Sequence, residues 1–92
     1  MELKDLLLML FFIHEWNPSR EDLCRKFGVS TATVARAIKD LRHLGADVVA
    51  KKQTGQGRSG GWIYEIQNWS AVQPLAERWL KLEMEREAVR LG

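Results

Sequence analysis

The segment from residue 19 to residue 45, SREDLCRKFGVSTATVARAIKDLRHLG, constrains the fold more than any other part of the chain. Ser19 followed three residues later by Asp22 is typical of the capping box that opens a helix. Gly28 is suited to ending that helix, and Ser30 to capping a second one whose apolar residues keep to one side. The pattern therefore predicts two short helices joined by a tight turn, a helix-turn-helix.

The second of these helices has a polar side that suits nucleic acid. Val34, Ile38 and Leu41 recur at helical spacing and should face the core. The opposite side and the start of the helix carry Ser30, Thr31, Ala32, Thr33, Arg36, Lys39, Asp40 and His43. Arginine binds guanine through two hydrogen bonds, threonine bonds to either kind of base edge, and small apolar groups contact the thymine methyl. The same side chains also fit an ordinary solvated helix face.

A β-hairpin is predicted directly after the second helix. Residues 48–52 and 62–66 are rich in strand-forming side chains and enclose a glycine-dense polar tip. The hairpin carries Lys51 and Lys52 at its base and Arg58 in the tip. Basic side chains on such a hairpin can reach phosphates or a narrow minor groove. The alternative is a hairpin that only closes the core, a task we expect of the alternating Trp62, Tyr64 and Ile66.

Taken together, SREDLCRKFGVSTATVARAIKDLRHLGADV and the later GGWIYEI resemble the winged helix-turn-helix of bacterial regulators of the DeoR and WYL type, an HTH-11-like pattern. The resemblance extends over about residues 3–67, and the segment is also similar to the amino-terminal domain of biotin-ligase repressors. The matching positions are Leu23, Phe27, Gly28, Val29, Ser30, Thr33, Val34, Arg36, Ile38, Leu41, Leu44 and Gly45. One departure is Cys24, where the family usually has alanine. The resemblance implies DNA binding through Thr31, Thr33 and Arg36.

The distribution of charge agrees with a polyanionic partner. The 92 residues carry a formal net charge of only +2. Residues 17–61, however, contain nine basic and four acidic side chains, whereas residues 1–16 and 62–92 are each net negative. Positive charge concentrated on one segment steers a protein toward phosphate. Double-stranded DNA is therefore the expected partner.

No catalytic pattern accompanies these features. His14, Cys24 and His43 fall on three different predicted helices, unlike the clustered ligands of a metal site. The glycine-rich tip lacks the Gly-Lys-Ser/Thr ending of a phosphate-binding loop. We expect no enzyme, no cofactor, no metal and no small-molecule effector. A lone cysteine, an apolar run of only eight residues over 6–13 and no secretory signal predict a cytoplasmic protein without a membrane span.

Both ends of the chain predict helices with more apolar surface than one small domain needs. The helix over residues 2–15 can turn one stripe of leucines to the core, which leaves Leu8, Phe11 and Phe12 on its other sides. A C-terminal helix capped by Ser70 has two apolar strips. The first strip consists of Val72, Leu75, Trp79, Leu82 and Val89, and the second of Leu80, Met84, Ala88 and Leu91.

If one strip docks on the parent domain, the other needs a partner, most simply a second copy of the chain. Isolated apolar residues on a surface are common, so the second strip is also consistent with plain surface. We expect a homodimer, with an interface formed by Leu8, Phe11, Phe12, Leu80, Met84, Ala88 and Leu91.

The sequence thus predicts an α+β fold, a winged helix-turn-helix with a three-helix core, a two-stranded hairpin wing and an added C-terminal helix. Residues 1–69 form the predicted DNA-binding domain, and residues 70–92 the docking and dimerisation helix. The predicted function is a sequence-specific DNA-binding repressor that reads a two-fold site as a homodimer. The alternative is a winged-helix module that binds another protein and has little or no contact with DNA.

Overall fold

Helices provide most of the secondary structure. The structure, a computed structural model, describes residues 1–52 and 61–91, excluding the side chain of Leu91. Within these residues the elements in chain order are α1 (Leu3–Trp16), α2 (Arg20–Phe27), α3 (Thr31–His43), β1 (Val48–Lys52), β2 (Trp62–Ile66) and α4 (Trp69–Leu91).

Side-chain caps fix the boundaries of α2 and α3 where the sequence predicts them. Asp22 N donates to Ser19 Oγ at 3.1 Å, and Ser19 N donates to Asp22 Oδ2 at 3.0 Å, which completes a capping box. Gly28 ends α2 in the left-handed conformation, with φ 64°, which a residue with a side chain rarely adopts. Ser30 accepts a hydrogen bond from Thr33 N at 3.2 Å and opens α3. The helix-turn-helix prediction is confirmed.

The two strands pair antiparallel, with Val48 opposite Ile66. On its other edge β2 contacts the segment between α1 and α2, which the sequence did not indicate. Tyr64 N donates to Pro18 O at 2.9 Å, and Asn17 Nδ2 donates to Tyr64 O at 3.2 Å. The connection between α1 and α2 therefore runs along the outer edge of β2. This pairing satisfies backbone groups of an edge strand that would otherwise be open.

One hydrophobic core joins the three helices to the base of the hairpin. α1 contributes Met9 and Ile13, and α3 contributes the predicted inward residues, which include Val34 and Leu41. These side chains are almost fully buried. Burial of one such aliphatic side chain stabilises a fold by roughly 1.5–3 kcal/mol, so α3 has one fixed orientation relative to α1 and α2.

Helix α4 docks on α1 by a face that differs from both predicted strips. It begins at Trp69, so Ser70 lies inside the helix rather than at its cap. Val72 and Ala76 are buried on the side of α4 that contacts α1. Trp69, Trp79 and Leu80 are partly buried and pack against the same core. We call these five residues the docking face. At the far end, Glu87 pairs with Lys4 of α1 at 2.8 Å.

Three of the predicted dimer residues have partners within their own chain. Leu80 is half-buried against its own core rather than free for a partner. Phe11 packs edge-on against Trp69 with ring centroids 5.3 Å apart, and Phe12 packs against Phe27 at 6.1 Å. Contacts within the chain therefore use surface that the sequence assigned to a second copy.

The remaining members of the predicted set have other environments. Leu8, Met84 and Ala88 are exposed, and the side chain of Leu91 lies outside the described residues. On the other strip, Leu75, Leu82 and Val89 are exposed although they were candidates for docking. The buried Ala76 lies on the docking face, although neither predicted strip included it.

The architecture as a whole is the predicted α+β winged helix-turn-helix with an added C-terminal helix. Of the three hairpin residues expected to close the core, Tyr64 and Ile66 are buried, whereas Trp62 is 59% exposed. Trp62 stands on the same face of the strand, but that end of the hairpin extends past the edge of the core.

The capping box of α2 generates a prediction for stability against pH. Hydrogen bonds from the Ser19 backbone and from Arg25 hold the pKa of the Asp22 carboxyl below its usual range. The stabilisation is therefore present above the unfolded-state pKa and is lost as the pH falls through the lower folded-state pKa. Asp22→Asn should lower the free energy of unfolding at neutral pH, and this difference from wild type should shrink on acidification.

Ser19→Ala serves as the control, because it removes the uncharged half of the same box. We expect it to cost about 1 kcal/mol with little dependence on pH. Urea denaturation of the three proteins at neutral and acidic pH measures both effects. A deficit of Asp22→Asn that stays constant down to the acid limit would contradict the assigned role of the carboxylate.

Candidate nucleic-acid interface

Helix α3 presents a line of exposed side chains opposite to its buried stripe. Ala32, Arg36, Lys39 and His43 are all exposed, and their spacing of four, three and four residues places them on one side. The buried residues Val34, Ala37, Ile38 and Leu41 occupy the other side. The outward line therefore holds two cations, an imidazole and a small apolar side chain, which are types of group that can contact base edges and phosphates.

The start of α3 is built mainly by hydrogen bonds within the chain. Ser30 Oγ lies 3.1 Å from Thr33 Oγ1 in addition to accepting from Thr33 N. Ser30 is thus a capping residue, and Thr33, which is half-buried, has a hydroxyl already engaged. Thr31 is exposed just inside the first turn. Of the three hydroxyl residues predicted for contact, Thr31 is the one whose side chain has no such hydrogen bond among the described residues.

The basic residues differ in how far they are already neutralised. Within residues 1–52 and 61–91, neither Arg36 nor Lys39 nor Lys52 forms an ion pair, and all three are exposed. Lys51, in contrast, pairs with Glu65 of the neighbouring strand at 2.9 Å. A phosphate would compete with that carboxylate for Lys51, so Lys52 is the stronger electrostatic candidate at the base of the hairpin. Arg58, predicted for the tip, lies outside the described residues.

Specific hydrogen bonds tie the hairpin to the end of α3. Arg42 Nε donates to Val48 O at 2.9 Å, which joins the last turn of α3 to the first residue of β1. The side chain of Asn68 bridges the intervening turn, because Oδ1 accepts from Asp47 N at 2.8 Å and Nδ2 donates to Gly45 O at 2.9 Å. The position of the hairpin is therefore set relative to the outward side of α3.

Sequence reasoning missed Trp62 as a surface residue of the hairpin. It faces Lys52 across the two strands and borders an open groove with Arg20, Glu21 and Tyr64. Arg20 Nε donates to Tyr64 Oη at 3.4 Å, which connects α2 to the same groove. Trp62 and Lys52 thus form an exposed pair of an aromatic ring and a cation at the base of the hairpin. The signal in the sequence was the position of Trp62 directly after the glycine-dense tip, beyond the reach of the core.

Other kinds of site find little support in the described part of the chain. No three histidine, cysteine, aspartate or glutamate side chains of residues 1–52 and 61–91 come together as metal ligands. His14 stacks on Trp69 with centroids 3.9 Å apart, and Cys24 packs half-buried against the core. Among the helices described, none has the length and hydropathy needed to cross a bilayer.

Comparison with known proteins identifies one family. A family model described as HTH domain, HTH_11, matches residues 3–57, which include α1, the helix-turn-helix and the first strand. No curated protein and no solved structure matches the chain significantly. The family match thus covers the elements that hold the outward side of α3 in place.

Proposed function

We infer, because the chain belongs to the family of HTH domains, that it is a sequence-specific regulator of transcription that binds double-stranded DNA as a homodimer. Family membership supports a DNA-binding regulator and points away from an enzyme. The finer proposal is that α3 enters the major groove while the hairpin contacts the backbone or the minor groove. Repression is the proposed outcome, since a dimer bound over a promoter blocks access to it. Such a protein would act in the cytoplasm of a bacterium or a phage host.

The observation that carries the proposal is the division of α3 into two sides. Val34, Ile38 and Leu41 are buried, while Arg36 and Lys39 project outward without an ion pair among the described residues. Phosphate contacts supply affinity without sequence preference, and base contacts supply the preference. We assign the base contact to Arg36, with Ala32 and Thr31 beside it, and the phosphate contacts to Lys39, His43 and Lys52.

A protein-binding module is the competing function. The groove beside Phe11, Phe12, Phe27 and Trp69 is lined mainly by apolar side chains and would suit a protein ligand. The outward line of α3, in contrast, offers no large apolar side chain of the kind that dominates protein interfaces. Binding of random-sequence duplex over a salt series separates the two functions. Retention that falls steeply as salt rises supports DNA binding, and absent or salt-insensitive retention supports the protein ligand.

The assignment of Arg36 yields a prediction on sequence preference. A preferred duplex would first be selected from a random pool with the wild-type protein. Arg36→Ala should then lower the affinity for that duplex by about 1–3 kcal/mol, while binding to random duplex changes much less. Arg36→Lys is the matched control, because it keeps the charge but loses the two-bond geometry that arginine offers guanine. Equal losses on selected and random duplexes for Arg36→Ala would refute the assigned base contact.

The assignment of Lys52 yields a prediction on salt dependence. Lys52→Ala should weaken selected and random duplexes alike and reduce the slope of log affinity against log salt by roughly 0.9 for each phosphate that the protein no longer neutralises. Lys51→Ala should change the slope less, because Glu65 already pairs with Lys51. Lys81→Ala, which removes an exposed lysine on α4, is the control that should leave the slope unchanged. An unaltered slope in Lys52→Ala would exclude the hairpin base from the interface.

A further inference from the structure

Helix α4 carries a second apolar line that no part of the described chain covers fully. Leu75, Leu82 and Val89 recur every seven residues and are 46%, 49% and 80% exposed. Trp79 and Arg86 fall between them, so that the five positions alternate spacings of four and three. We call these five residues the heptad seam. Four of them, Trp79, Leu82, Arg86 and Val89, border an open groove of about 630 Å³, to which Leu3 of α1 also contributes.

Alternating spacings of four and three place side chains along the narrow stripe that a two-stranded coiled coil uses as its contact. The docking face of α4 also follows such spacings, at Trp69, Val72, Ala76 and Trp79, but it is already packed against the core of its own chain. The heptad seam lies beside that face and shares only Trp79 with it. Its narrow period fits a single partner helix that follows the same period, and α4 of a second copy is such a helix.

The charges that flank the heptad seam favour one orientation. Each heptad of a coiled coil has two core residues, here Trp79 with Leu82 and Arg86 with Val89. In a parallel pair, the residue just before such a pair faces the partner residue that lies just after it, five positions later in the sequence. Arg78 would then face Glu83 of the partner subunit, and Glu85 would face Arg90 of the partner subunit. Both pairs have opposite charge. An antiparallel pair centred on residue 84 would instead set Glu83 beside Glu83 of the partner subunit and Glu85 beside Glu85 of the partner subunit. Like charges would then meet.

We propose that the heptad seam is the contact through which two copies of this chain form a parallel homodimer. The proposal replaces the Phe11, Phe12 and Leu80 surface, which the chain uses internally. It deepens the proposed DNA-binding function, because a parallel pair of α4 helices places both α3 helices at the same end of the dimer. Two recognition helices related by that two-fold axis match a palindromic site.

The structure also supplies a partner for the polar member of the seam. Arg86 Nη1 donates to Glu83 Oε1 at 3.2 Å within α4. A single polar residue at a core position of a coiled coil lowers stability but fixes register and the number of strands. In the parallel pair Arg86 faces Arg86 of the partner subunit, and the Glu83 carboxylate beside each guanidinium offsets the repulsion between them.

Sedimentation of the full chain across a range of concentrations, without DNA, tests the proposal. Wild type should reach twice the 10.6 kDa mass of the chain. Leu82→Lys should raise the dimer dissociation constant about tenfold or more, because it buries a charge in the seam. Met84→Lys is the matched control: Met84 is 57% exposed on the other side of α4, and its change should leave the dimer intact. Circular dichroism checks that both variants fold.

Cross-linking tests the orientation. In a Cys24→Ala background, Val89→Cys should form a disulfide-linked dimer on mild oxidation, because residue 89 faces its own counterpart only in a parallel pair. Ala88→Cys, one residue outside the seam, should not. A monomer at every concentration, dissociation by Met84→Lys instead of Leu82→Lys, or cross-linking through position 88 alone would overturn the proposal. Since no DNA is present, such failure would leave the proposed DNA binding untouched.

Discussion

The structure depends on burial of the apolar side of α3 against α1 and α2. Val34 and Leu41 are almost completely excluded from solvent, as are their neighbours Leu7 and Leu23. Rotation of α3 about its own axis would expose these side chains and bury the charges of Arg36 and Lys39, which costs far more than any contact it could gain. The outward side is therefore presented in one fixed direction before a ligand arrives, so little ordering cost remains at binding.

The connection between α3 and the hairpin extends this rigidity to the hairpin base, the second of the proposed contact regions. Arg42 would count as one more cation on a basic helix if only its charge were considered, yet its Nε is hydrogen-bonded to Val48 O. Asn68 fastens the turn from the other side by bonding to Gly45 O and Asp47 N. A residue near the start of α4 thus holds the hairpin base at a set distance from α3. Affinity from phosphate contacts and preference from base contacts require this fixed spacing.

Local chemistry made the helix-turn-helix and the strands predictable. Ser19, Asp22 and Ser30 each satisfy backbone groups of their own helix, so their positions alone indicate where α2 and α3 begin. The docking face of α4 was not predictable in the same way. It includes the small Ala76, and beyond it Glu87 pairs with Lys4, a contact that depends on how α1 and α4 meet in three dimensions. Trp62 likewise has the period of a core residue, but the core ends before it.

For the candidate site, the sequence identified the outward residues of α3, and the structure distinguishes among them. Ser30 and Thr33 bond to each other, and Lys51 pairs with Glu65, whereas Arg36 and Lys52 are exposed and form no ion pair among the residues described. Such intramolecular partners depend on side-chain geometry that spacing alone does not fix. The central claim, that the outward side of α3 meets DNA, is tested most directly by backbone amide chemical shifts during titration with duplex DNA. The account predicts salt-sensitive shifts concentrated in residues 31–43 and the base of the hairpin, whereas shifts confined to α4 or to the groove beside Phe11 and Phe27 would contradict it.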